Sequence, residues 1–287
     1  MLVPNTIIRG HEAPVYSVAV SENYVYTGSS DFKIRRTSIV DQTLDSFTIT
    51  TESACISIAT MGTKWLAIGL LNGDFHLIDV EVNEEVLFFP FGEGGVFSIT
   101  EDISNQRFFI GLASGNCAEV LTSNFKINYL KATASDKIRK LIYISEKQRL
   151  LMASRDGWIH LLDKDSQQSS KILLAHEGGV SSMVMSDTGT LITGGKDGFI
   201  RVWDESLSMV NSFPAHRGVI YDLLLMDEWL VSASRDKSIK VWDRNNFHPV
   251  QKMVVHRQSV NALAQQNAHS FVSVSDDGQL IFWTRDE

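Results

Sequence analysis

Hydrophobic and polar residues alternate along this chain in short bursts, most clearly from residue 220 onward. Ile220–Leu225, Trp229–Ser234, 238–243 and 249–255 each follow a two-residue period, which puts one side of a strand towards a core and the other towards solvent. The breaks between them, at 226–228 and 235–237, hold charged and turn-forming residues. Four short antiparallel strands are therefore predicted for this stretch. No segment sustains a 3.6-residue apolar period between caps, so helix content is expected to be near zero.

The same four-strand pattern recurs. GGKDGFIRVWD (194–204), SASRDKSIKVWD (232–243) and SVSDDGQLIFW (273–283) share a turn acid, an alternating run and a tryptophan. Asp197, Asp236 and Asp277 are the acids, and Trp203, Trp242 and Trp283 follow each by six positions. His176, His216 and His256 precede them at intervals of 40 residues. Extended backwards, the frame finds Asp31 with His11, Asp156 with no histidine before it, and Asn72 and Ser114 in the acid's place. The turn positions 31, 72, 114, 156, 197, 236 and 277 are 41, 42, 42, 41, 39 and 41 residues apart. That period is too long for helical repeats of about 33 or 34 residues and fits a four-stranded blade. Seven units fill the 287 residues as one domain, 1–287.

With these residues in view, the chain resembles the WD-repeat family of seven-bladed β-propellers over essentially its full length. The expected fold class is all-β, with seven blades of four antiparallel strands closed into a ring. The last repeat ends with its Trp283 strand, while 5–9 precedes the first histidine without a blade of its own. The N-terminal segment is thus expected to supply the outer strand of the last blade, since an open ring would expose apolar faces and strand edges. The resemblance further implies a hydrogen-bonded staple in each blade, running from the turn Asp to the His, to a Ser or Thr, and to the Trp indole. Its parts are Asp197, His176, Thr193 and Trp203 in blade five, and Asp236, His216, Ser232 and Trp242 in blade six. Blade seven has Asp277, His256, Ser273 and Trp283. Blade one keeps Asp31, His11 and Thr27 but carries Thr37 for Trp, and Ile78, Val120 and Leu162 stand there in blades two to four. Apolar packing is expected to replace the staple in those blades.

Composition narrows the function. A net charge of −8 opposes generic binding to nucleic acid, which relies on a basic face. No apolar run is long enough for a membrane helix, and Met1 to Gly10 lacks a secretory leader, so a cytoplasmic protein is expected. Cys55 and Cys117 lie in different repeats and read as buried thiols.

Asp and His are residue types of acid–base and metal chemistry, but one of each per blade around a ring cannot converge on one atom. No catalytic residue, metal site or cofactor is expected. His76, His160, His248 and His269 read as solvated or half-buried imidazoles without a partner. The glycine clusters at 92–95 and 194–195 read as turn glycines, since neither opens a helix nor carries the Lys and hydroxyl of a phosphate loop.

Family geometry places the residue before each turn acid, and two near the start of each first strand, at the channel mouth. These positions sort into an apolar arc over blades one to three, with Tyr16, Ile56, Leu71 and Phe97. A basic arc covers blades four to six, with Lys137, Arg139, Arg155, Lys196 and Arg235 beside Tyr221; Asn261 follows in blade seven. Arg with aromatic residues is the makeup of interface hot spots. The expected function is a non-catalytic scaffold or adaptor that docks a protein or peptide there, acidic or phosphorylated beside apolar anchors. Alternatives are a propeller enzyme or small-ligand binder, and a single-stranded nucleic-acid binder using the basic arc.

Overall fold

The computed structural model describes residues 1–92, 94–132 and 134–286. They form seven four-stranded antiparallel sheets. Six sheets use consecutive strands, and the seventh combines Val260–Asn267, Ser270–Ser275 and Gln279–Arg285 with the N-terminal strand Leu2–Arg9. The strand limits of blade six follow the alternation closely, as Ile220–Leu225, Trp229–Ser234, Ile239–Asp243 and Pro249–Met253. The helical content of the described residues is one short 3-10 turn, Ser145–Lys147.

The ring closes through the N-terminus. Leu2 pairs with Arg285 and Arg9 with Gln279, so the closing strand starts three residues earlier than the sequence suggests. Pro4 lies inside it, tolerated because an outer strand donates to one neighbour only; the register shifts between Pro4 and Thr6. Leu2 is buried, and its backbone N–H and C=O are both bound by the Gln251 side chain of blade six, at 2.9 and 2.7 Å.

The core is divided into seven apolar clusters, each set between two neighbouring blades. Four second strands carry a glycine, Gly28, Gly69, Gly111 or Gly194, where the next blade comes close. Gly194 and Gly195 lie in the strand Leu191–Gly195, not in a turn, which corrects the sequence expectation. A Cβ on Gly194 would sit 2.8 Å from Ile220 of the next blade, and one on Gly195 2.2 Å from His176. Gly92 and Gly94 do take positive φ, as expected of turn glycines, and Glu93 lies outside the described residues. Between blades three and four, the buried Arg107 ties the joint. Its guanidinium bonds to Asp102 (2.8 Å) and Glu119 (2.7 Å) of its own blade and to the Tyr143 hydroxyl (2.6 Å) of the next. A buried guanidinium is tolerable because its donors are used.

Candidate binding face at the channel mouth

The staples are present as hydrogen bonds wherever the sequence supplies the parts. In blade six, His216 Nδ1 lies 3.0 Å from Asp236, His216 Nε2 2.7 Å from Ser232 Oγ, and the Trp242 indole N–H donates to that same Oγ at 2.9 Å. Blade five repeats this with His176, Asp197, Thr193 and Trp203, and blade seven with His256, Asp277, Ser273 and Trp283. One direction uses every group: indole N–H to hydroxyl, hydroxyl to Nε2, and Nδ1–H to carboxylate. It requires a neutral imidazole, and burial does hold His216 below its ordinary pKa, with Asp236 opposing. Each turn acid also accepts the backbone N–H two residues on, as Asp236 does from Ser238 at 3.1 Å. Burial would raise Asp197, yet the bonds from His176 and Arg201 outweigh it and bring the carboxyl to about 2.

Blade one stops short. His11 reaches Asp31 and Thr27, both at 2.9 Å, but Thr37 has no indole to offer. Blades two to four bury Ile78, Val120 and Leu162 in the tryptophan's place. Blade four departs from expectation, because Asp156 does have a histidine. His160, four residues later on the third strand, is fully buried with Nε2 3.1 Å from Asp156. His76 is likewise partnered, 2.5 Å from Glu85, whereas His248 and His269 are exposed. The signal for His160 was its spacing: two residues apart along a strand share a face, so the fourth residue after the turn acid points back at it. Arg201 makes the same contact to Asp197, at 2.7 Å.

Six of the eleven candidate partner-binding residues share one backbone device. In every first strand the register with the second slips around one residue: Tyr16, Ile56, Phe97, Arg139, Ser181, Tyr221 or Asn261. A bulge leaves that residue without a cross-strand partner and re-aims its side chain. The slip falls on the residue that the repeat frame put at the mouth, in all seven blades. Sequence gives no signal for it, since neither glycine nor proline marks these positions.

Several of these side chains meet. Lys137 Nζ and the Arg139 guanidinium of blade four lie 4.4 and 4.8 Å from the centre of the Phe97 ring of blade three. Tyr221 of blade six lies within electrostatic reach of Arg235, of Asp276 in blade seven and of Arg139 in blade four. Arg155 stands 4.0 Å from Asp136. Lys137, Arg139, Lys196 and Arg235 have no ion pair among the described residues. Crowding by protein, then Arg139 and Arg155, holds Lys137 below its ordinary pKa; the same crowding and Arg155 lower Arg139. Two cations thus share one aromatic ring, and Arg155 adds to the repulsion between them.

On the apolar side, Tyr16 and Leu71 are 36% and 48% exposed, and Ile56 and Phe97 half-buried. Asn261 spends its amide N–H on Val15 O (2.8 Å) and Asp276 (2.7 Å), tying blade seven to blade one. Lys196 is exposed but joins none of these contacts. Below the mouth, Asp222 joins four blades, accepting from Lys140 of blade four (3.1 Å), Ser182 of blade five (2.9 Å) and the backbone N–H of Leu263 of blade seven (3.0 Å). Cys55 and Cys117 are buried and free, their thiols pushed up to about 12 by burial.

Comparison with known proteins agrees with this architecture. The family model described as WD domain, G-beta repeat matches residues 2–35, 167–204, 207–243 and 247–284, most of them in the stapled blades. The DDB1- and CUL4-associated factor 11 homolog of Caenorhabditis briggsae is 30% identical over 116 residues, 37% of this chain and 21% of that protein. The sterol regulatory element-binding protein cleavage-activating protein of Xenopus laevis is 24% identical over 244 residues, 82% of this chain and 17% of its own. The WD repeat-containing protein 55 homolog of Dictyostelium discoideum is 27% identical over 186 residues, 63% and 45%. The chain spans less than half the length of each relative.

Proposed function

Since the chain belongs to the WD40-repeat family, we propose that it is a non-catalytic scaffold or adaptor that docks a protein or peptide on the channel-mouth face. The observation that carries this reading is the two cations over Phe97, Lys137 and Arg139, which have no ion pair among the described residues. Lys137 lies in the field of Arg139 and Arg155, and Arg139 in that of Arg155, and an anion seated among them would relieve that repulsion. An acidic or phosphorylated segment supplies the anion, and Arg favours it through paired, planar hydrogen bonds. Tyr16, Ile56, Leu71 and Tyr221 offer apolar surface to flanking residues.

The staples support a scaffold in another way. Their Asp and His side chains are engaged within separate blades, so they serve rigidity and leave the mouth residues to do the binding. One relative is named as an associated factor of two other proteins, which fits a role in assemblies. The same reading puts the protein in the cytoplasm, where two free, buried thiols are stable.

The test is an affinity purification from the native cell, comparing the natural chain with the triple variant Arg139→Glu, Arg155→Glu, Arg235→Glu, both first shown to be folded. A protein partner recovered with the natural chain and lost with the variant is the expected result. Equal recovery by both overturns the assignment of the mouth.

A further inference from the structure

The apolar arc of the mouth continues outward beyond Leu71. In the same turn, Gly73 O accepts the backbone N–H of Phe91 at 2.9 Å, which fixes Phe91 beside it. Nothing larger than glycine fits at 73, because a Cβ there would lie 2.5 Å from Gly92 O. The Phe91 ring meets Phe75 at 6.3 Å and Phe89 at 4.8 Å, both edge-on. From blade three, Tyr129 closes on Phe91 at 5.8 Å and on Phe89 at 6.4 Å. The result is an aromatic platform on blades two and three, tied through Gly73 to the turn that carries Leu71 of the mouth. Tyr129 at its end is 58% exposed, and its hydroxyl makes no hydrogen bond among the described residues.

Charge gives this surface a direction. The side chains named on it are uncharged; the acid Asp74, hydrogen-bonded to Asn72, flanks the turn. An acidic stretch is repelled there and attracted over blades four to six. Resting on the reading of the mouth given above, we propose that the docked segment belongs to a protein with two linked features. Its acidic or phosphorylated residues lie over Lys137, Arg139 and Arg155, and a bulky apolar residue sits on the Phe89, Phe91 and Tyr129 platform. Partly exposed aromatic clusters supply much of the affinity of peptide-binding surfaces.

Fluorescence anisotropy on the intact chain tests this with two kinds of synthetic peptide. One carries a run of Glu alone; the other carries the same run joined through Gly-Ser spacers of graded length to Trp-Leu. The tail is expected to tighten binding about tenfold at the best spacer. Tyr129→Ser, at an exposed site, and Phe89→Ser as a second variant should each reduce that gain while the Glu-only peptide binds as before. A tail without effect, or a gain that survives both variants, refutes the platform and leaves the mouth standing. Glu-only binding that is indifferent to Arg139→Glu with Arg155→Glu refutes the mouth itself.

Discussion

Thr37 stands where three other blades place the staple tryptophan, and it is buried with its hydroxyl lacking any hydrogen-bond partner among the described residues. A buried hydroxyl without a partner costs more than it returns, whereas a methyl group in the same volume costs nothing polar. Thr37→Val should therefore stabilise the protein by about 1 kcal/mol, visible as a rise of about 2 °C in the thermal midpoint. Thr27→Val, which removes the hydroxyl that His11 uses, should lower it. An unchanged or reduced midpoint for the Thr37 variant shows that the hydroxyl is satisfied in solution. At this scale the sequence was readable wherever residue type and spacing together define a bond. The turn acids and their histidines were visible for that reason. His160 was legible only from strand alternation, because its imidazole reaches Asp156 from the third strand instead of the preceding loop.

Among the elements, the N-terminal strand carries the closure. It contributes a ladder to Gln279–Arg285, a buried Leu2 and two bonds to Gln251. Leu2→Ala should cost about 3 kcal/mol, the usual loss for a buried leucine. Removing residues 1–9 should lower the thermal midpoint much further, and a melting curve unaffected by the deletion contradicts the role given to this strand. The position of the strand could be read from a last repeat one strand short. Its start could not, since Pro4 reads as a breaker until the strand is known to be an outer one. The seven bulges were illegible for a different reason. They arise from the pairing of two strands, and a single strand's alternation carries no trace of its partner's register.

For the whole molecule, pH acts on many staples at once. His11, His160 and His216 are held below 6.5, chiefly because burial disfavours the imidazolium, while their Asp partners only partly oppose this. The unfolded chain therefore takes up these protons first as pH falls. Their contribution is complete above 6.5 and is lost through the window between 6.5 and the lower folded values. Asp31, Asp156, Asp197, Asp236 and Asp277 are held below 3.8, so a second loss follows in stronger acid, as pH falls through their folded values. Thermal midpoints measured from pH 8 to pH 5 should fall, and less steeply in a His216→Asn variant measured against its own pH 8 value. A flat profile is incompatible with buried neutral imidazoles. The seven-fold period made the ring itself legible, but the meeting of Phe97, Lys137 and Arg139 depends on how two neighbouring blades pack, which the period does not give.

Ring closure also has a consequence in time. Arg9 pairs with Gln279, about 270 positions later, so this strand is synthesised long before the strand it pairs with. At a synthesis rate of roughly 5–20 residues per second, it waits on the order of 15–60 s with its ladder unmade. Throughout that interval Leu2, Ile7 and Ile8 are open to any passing strand edge. The newborn chain is most in need of protection at the strand that waits longest for its neighbour.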